Sequence, residues 1–244
     1  MSLRAIILDL GGTLIDWPDW NEDVVRRWAL SYDYLIAKFP SSHWPQRDAY
    51  TQAMRQAEIA HWVQVVDNQT SSTPGALLSA GFELLERPVS EEELLAALDG
   101  YGEAVSGWAI IFPDVVETLI TLRKLGYKLG LLSNTWWASA WHNADLAAHG
   151  LTNLLDEVVY TSDLAYSKPH PEAFRTVTKR LGVVPEECVM VGDRLIDDIS
   201  GALGLGMRAV WKKTHYPWPE PAHIVPTAII TDLAEVLPLV DAWS

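Results

Sequence analysis

Cysteine is nearly absent from this chain. Cys188 is the only one, so no intramolecular disulfide can form, as suits a reducing compartment. No run of about 18 consecutive apolar residues occurs, so no transmembrane helix is expected. The first apolar run already contains Asp9 and does not read as a secretory leader, and a cytoplasmic location is expected. Basic residues are few: 18 Lys and Arg against 32 Asp and Glu give a formal charge of −14. Such a field repels phosphate backbones and anionic lipid. No nucleic-acid or membrane partner is therefore expected, and an anionic substrate would need a local positive site. The histidines show no HxxxH or HExxH spacing, which removes the common zinc motifs. Internal repeats, low-complexity segments and long like-charge runs are also missing.

What is present is globular. At 49% hydrophobic residues the chain has ample material for a core, and its length fits one large domain or a core with an insert. The twelve tryptophans read first as packing residues. Ile6-Ile7-Leu8 is a buried-strand pattern that ends on Asp9, and the glycine-rich turn Gly11-Gly12-Thr13 follows at once. A carboxylate at a strand's C-terminal end sits where open α/β sheets bind ligands, and can act as a nucleophile or metal ligand.

Beyond residue 108 strands and helices alternate. The pattern predicts helices over Asp114–Leu125, Trp137–His149, Pro171–Leu181, Asp197–Leu203 and Leu233–Val240. It predicts strands over Tyr127–Leu132, Glu157–Thr161, Cys188–Val191, Arg208–Trp211 and Ala228–Ile230. Asp114 is a candidate cap for the first of these helices. Strands separated by helix-length segments imply a doubly wound parallel sheet, Rossmann-like, covered on both faces with its strand ends on one edge. Residues 18–108 read as all helical, over Asn21–Phe39, Trp44–Val66, Pro74–Leu85 and Glu91–Val105, with a capping box at Ser90 and Glu93. The expected organisation is a core of residues 1–17 and 109–244 with a helical insert at 18–108. The insert's hinges are expected near Asp16–Trp20 and Ser106–Phe112, and the block should close over the strand-end edge.

Polar residues recur at the strand ends: Asp9; Ser133-Asn134; Lys168; and Asp193 with Asp197-Asp198. Each has a bland explanation as a turn, loop or cap residue, but four such sites in order are hard to dismiss. Gly204-Leu205-Gly206 mimics a dinucleotide fingerprint but lies between a helix and a strand, the wrong context. Cys188 opens an apolar strand and reads as buried rather than reactive.

The motifs Leu8-Asp9-Leu10-Gly11-Gly12-Thr13-Leu14, Leu132-Ser133-Asn134, Ser167-Lys168-Pro169 and Val191-Gly192-Asp193-Arg194 through Asp197-Asp198 resemble those of the haloacid dehalogenase-like hydrolases, in the group with a helical cap after the first strand. The resemblance implies Asp9 as nucleophile, forming a covalent aspartyl intermediate, and Lys168 as its charge partner. It implies Ser133 and Asn134 as ligands of the transferred group, and Mg2+ held by Asp9, Asp193, the Gly11 carbonyl and either Asp198 or Asp197, with Asp198 favoured. Trp136, directly after the second motif, is a candidate substrate-binding residue. The sequence departs from the family pattern at Gly11, where phosphatases of the family carry an Asp as general acid and base. The implied activity is hydrolysis of a small phosphorylated metabolite by a monomer or homodimer. Its rivals are a carbon–halogen hydrolase, whose halide needs no proton, and a weakly active binding protein on the same scaffold.

Overall fold

Ala5–Leu8 forms the first strand, β1, with all four residues buried. Ile6 and Leu8 face one side of the sheet and Ala5 and Ile7 the other, so the period of two persists although both faces are dry. The computed structural model describes residues 2–17, 20–105 and 107–243. After β1 come β2 (Ile15–Asp16), helices α1 (Trp20–Lys38), α2 (Arg47–Asn68), α3 (Pro74–Leu84) and α4 (Glu91–Val105), then β3 (Ile110–Ile111). The remainder alternates: α5 (Val115–Lys124), β4 (Lys128–Ser133), α6 (Ser139–Ala148), β5 (Glu157–Tyr160), α7 (Pro171–Leu181), β6 (Cys188–Gly192), α8 (Gly201–Gly204), β7 (Arg208–Lys212), β8 (Ala228–Ile230) and α9 (Val236–Ala242).

Among the described residues six strands form one parallel sheet in the order β5-β4-β1-β6-β7-β8. This is a Rossmann-like α/β core. The order reverses at β1, which lies between β4 and β6, so Asp9 leaves the sheet where a crevice opens between diverging connections. One apolar layer joins β1, β4 and β6 to α5 and α9 through Leu119, Leu122, Val236 and Val240. The opposite layer sets Phe174, Val177 and Leu181 of α7 against Ile7, Cys188 and Met190. Cys188 is buried, and burial raises its thiol pKa to about 12, which removes thiolate reactivity near neutral pH.

Local chemistry explains the helix boundaries. Thr73 Oγ1 accepts from Ala76 N at 3.2 Å, and Pro74 opens α3. Ser90 and Glu93 exchange side-chain bonds to each other's backbone amides, at 2.9 and 3.2 Å, and start α4. Gly182 stops α7 in the left-handed conformation. Asp114 does not cap α5. Its own backbone is helical and its carboxylate instead accepts from Ala234 N at 2.7 Å, tying α5 to the C-terminal segment.

Two features depart from the expected pattern. Ile15–Asp16 and Ile110–Ile111 pair as a two-stranded antiparallel ribbon at the root of the helical block. Of the expected hinge residues, Pro18, Asp19 and Ser106 lie outside the described residues. The predicted helix at Asp197 begins instead as a π-helical turn over Leu195–Ser200, a geometry that recurs at functional sites. In the helical block α1 packs along α4 and α2 against α3, around Trp28, Tyr50, Met54, Phe82 and Tyr101. No helix among the described residues is long and apolar enough to cross a membrane.

Candidate active site

Asp9, Ser133, Lys168, Asp193 and Asp198 are all buried. The Lys168 ammonium donates to Asp9 Oδ1 at 2.6 Å, to Asp198 Oδ1 at 2.6 Å and to the Leu132 carbonyl at 2.8 Å. Its three donors are thereby used on two carboxylates and one strand end. Carboxylate oxygens of Asp9, Asp193 and Asp198 lie within 4.8 Å of one another. The adjacent Asp197 turns away and pairs with Arg194 at 3.0 Å. Asp198 is thus the member of that acidic pair inside the cluster. Its second oxygen accepts from the Arg194 amide at 3.0 Å, a bond the wide π-helical turn permits.

Burial raises the Asp9 pKa to about 6; Lys168 pulls it down and Asp198 pushes it up. Asp193 is raised to about 7, by burial first and then by repulsion from Asp9 and Asp198. Burial alone would lower Lys168, but Asp198 and Asp9 outweigh it and hold its pKa above the usual value. Burial is the first cause for both carboxylates, and crowding of like charge adds to it. Three carboxylates around one ammonium leave two negative charges uncompensated in a dry site. That deficit matches a divalent cation, and clustered carboxylate oxygens are the donors a hard ion prefers. The turn is shaped for this approach. Gly12 has φ +73°, and a Cβ there would collide with the Asp193 carboxylate. Lys212, at the end of β7, donates to the Gly12 carbonyl at 3.1 Å and pins the same turn.

Gly11 differs from Gly12. It is not among the positive-φ residues, so its backbone admits a side chain. Its constraint is Trp17, whose Cζ3 lies 2.8 Å from where a Cβ would stand. The indole occupies the space into which residue 11 would project.

Other predicted residues have different surroundings from those expected. The Asn134 side chain accepts from Lys168 N at 2.8 Å and donates to Lys168 O at 2.9 Å. Its amide is committed to the main chain that presents the ammonium, so it orients Lys168. Trp136, expected to meet substrate, is 1% exposed, and its indole donates to Glu58 Oε1 at 3.3 Å. Glu58, on α2, also accepts from Trp28 at 3.1 Å, and Trp28 stacks on Trp136 at 5.7 Å. Trp136 therefore fastens the helical block to the core and offers no open face. A second junction lies at the Lys168 loop, where Ser167 N donates to Gln69 O at 2.9 Å and Ser71 N to Ala165 O at 3.0 Å. Both junctions put the helical block on the edge of the sheet that carries Asp9.

Trp218 and the Trp17–Gly11 contact escaped the motif-based reading. Trp218 Nε1 donates to Asp193 Oδ2 at 2.8 Å. The one sequence cue is its place between Pro217 and Pro219, which stiffen the loop.

A strand-end aspartate salt-bridged to a lysine, beside a carboxylate cluster at a topological switch point, is a hydrolase constellation, and the comparisons agree. The sequence matches the haloacid dehalogenase-like hydrolases over residues 3–206. It is 31% identical to the glyceraldehyde 3-phosphate phosphatase of Methanothermobacter thermautotrophicus, across 96% of this chain and 98% of that protein. It is 36% identical to the enzyme of the same name from Methanopyrus kandleri, in a match spanning 53% of this chain and 56% of that relative, about half of each. The 2-haloacid dehalogenase structure from Pseudomonas syringae pv. Tomato superposes with a TM-score of 0.70 at 28% identity, across 99% of this chain and 100% of that one. With its four motifs gathered on one sheet edge, the chain belongs to the haloacid dehalogenase-like hydrolase family.

Proposed function

We propose that this chain is a Mg2+-dependent phosphomonoester hydrolase acting on a small phosphorylated metabolite. The observation that carries the reading is the charge balance at the site: three buried carboxylates with a single ammonium among them. Two relatives named above, one matched over nearly its whole length and one over about half, are both called glyceraldehyde 3-phosphate phosphatase and support the same reaction class. Asp9, Asp193 and Asp198, with the Gly11 carbonyl, would hold the cation, which when bound supplies Lewis-acid stabilisation of charge on the phosphoryl oxygens. Residues 18–108 act as the cap, and residues 1–17 and 109–244 as the core.

The chain's own groups divide the remaining work. A carboxylate oxygen of Asp9 attacks phosphorus; the new bond gives an aspartyl phosphate while the ester oxygen departs with the bonding electrons. Lys168 holds Asp9 ionised and in position, and offsets the charge that gathers as the bond forms. Ser133, at the end of β4, binds phosphoryl oxygen, and Asn134 fixes the loop that carries Lys168. Water then cleaves the aspartyl phosphate, releasing inorganic phosphate and restoring Asp9. With Gly11 in place of an acid, the departing oxygen relies for its proton on the substrate, solvent or a residue of the cap. Substrates with good leaving groups, such as aryl, acyl or anomeric sugar phosphates, should therefore outpace alkyl phosphates.

A second reading is halide displacement from carbon, in which Asp9 forms an ester and no proton donor is needed. The Gly11 substitution and the likeness to the Pseudomonas syringae dehalogenase favour it. A release assay separates the two, run on phosphate esters and 2-haloacids with and without chelator. Phosphate release that disappears with chelator is expected. Halide release undiminished by chelator would replace the phosphatase reading with the second one.

A further inference from the structure

The loop between β7 and β8 takes no part in the chemistry above, yet two of its side chains reach the strand ends. Tyr216 and Trp218 are half-buried, while His215, Pro217 and Pro219 are exposed. The chain turns tightly about Pro217, where Trp218 N donates to Tyr216 O at 2.9 Å. Tyr216 donates its hydroxyl to Asp16, in the ribbon at the root of the helical block. Trp218 donates to Asp193 Oδ2 at 2.8 Å, and the Arg194 guanidinium lies 3.9 Å from its ring centroid. Arg194 is itself anchored by Asp197 at 3.0 Å. A second indole, Trp211, donates to the Asp193 main-chain carbonyl at 3.0 Å.

Asp193 is therefore gripped twice, once on its backbone and once on its side chain. A carboxylate on a strand-end loop can rotate about its χ angles, and held in the wrong rotamer it would point neither oxygen at the shared centre. An indole N–H suits the task of fixing it, because it is a donor only and cannot compete for the cation. Its ring is immobilised in turn by Arg194 and by the flanking prolines. We propose that Trp218 is a positioning residue for the divalent cation: its N–H locks one oxygen of Asp193, so the other is presented to the Asp9–Asp198 side of the cluster. The proposal rests on the metal reading given above. Partners of this kind, one step removed from the ion, commonly change metal affinity by about 10–100-fold when removed.

The test is calorimetric titration of the whole chain with MgCl2, comparing wild type, Trp218→Phe and Asp193→Asn, with the metal-free Tm of each. Phenylalanine keeps an aromatic ring beneath Arg194 but loses the donor. The Kd of Trp218→Phe should rise about 10-fold or more, whereas a purely structural role would lower the metal-free Tm and leave Kd unmoved. If Trp218→Phe titrates like wild type while Asp193→Asn loses binding, the role of Trp218 is overturned and the metal reading stands. If wild type takes up no Mg2+, both fall. Should Trp218→Phe not fold, the double variant Pro217→Gly/Pro219→Gly keeps the indole but loosens the strap. The same weakening is expected of it, and wild-type affinity there would overturn the proposal.

Discussion

Replacing Gly11 by alanine, with and without Trp17, tests what keeps position 11 free of a side chain. The Gly11 backbone is outside the left-handed region, so an L residue is not excluded by φ. The obstacle is the Trp17 ring, with Cζ3 2.8 Å from the Cβ position. Carbon atoms prefer about 3.5–4.0 Å, so the approach is about 0.7–1.2 Å too close. Overpacking of this kind costs about 1–3 kcal/mol. For a chain of this size each kcal/mol moves Tm by about 2–4 °C, so Gly11→Ala should melt about 2–12 °C below wild type. In a Trp17→Ala background the ring is gone and the same substitution should cost less than about 0.5 kcal/mol. Urea denaturation of the four proteins would then give a coupling energy of about 0.5–3 kcal/mol. Equal costs in the two backgrounds would refute the steric argument. A further consequence concerns an acid placed at position 11. Gly11→Asp alone meets the same indole and adds a carboxylate beside Asp9 and Asp193, already raised to about 6 and about 7. Only Gly11→Asp/Trp17→Gly should gain turnover on alkyl phosphates, toward the roughly 10²–10⁴-fold that general acid catalysis supplies.

Lys168→Met leaves Asp9 and Asp198 buried without their cation; it should cost about 3–5 kcal/mol and abolish turnover, with added Mg2+ recovering part of the Tm. An unchanged melting curve would contradict the charge balance described here. Asn134→Ala removes two hydrogen bonds from the Lys168 main chain, so kcat should fall more than KM rises; a pure KM effect would return Asn134 to the substrate. Burial lowers the His142 pKa to about 3, below the unfolded value of 6.5. The unfolded chain binds the extra proton first, so this contribution is intact above pH 6.5 and is lost as pH falls toward 3. Between pH 6.5 and 5 the loss is about 2 kcal/mol. Denaturation of His142→Phe at both pH values should show a correspondingly shallower decline, and an unaltered slope would clear His142 of the effect.

The strands and most helices were legible because their causes are local. Ala5–Leu8 and Cys188–Gly192 are short apolar runs closed by polar turns, and Pro171 and Gly182 punctuate α7 at both ends. The ribbon of Ile15–Asp16 with Ile110–Ile111 was not legible, since two residues carry no periodicity and the partner lies far along the chain. The acids at the strand ends could be named from the motifs, but Asp197 and Asp198 are neighbours that only the π-helical turn separates, one to Arg194 and one to Lys168.

The sequence by itself determined which backbone positions would carry charge to one sheet edge, because strand period and turn chemistry act over a few residues. Tertiary structure alone decided what each side chain does there. Asn134 meets the Lys168 backbone, Trp136 meets Glu58 of the helical block, Trp17 fills the space beside Gly11, and Trp218 holds Asp193. These partners are set by how the layers and loops pack. Packing brings together residues tens of positions apart, and no local pattern records that.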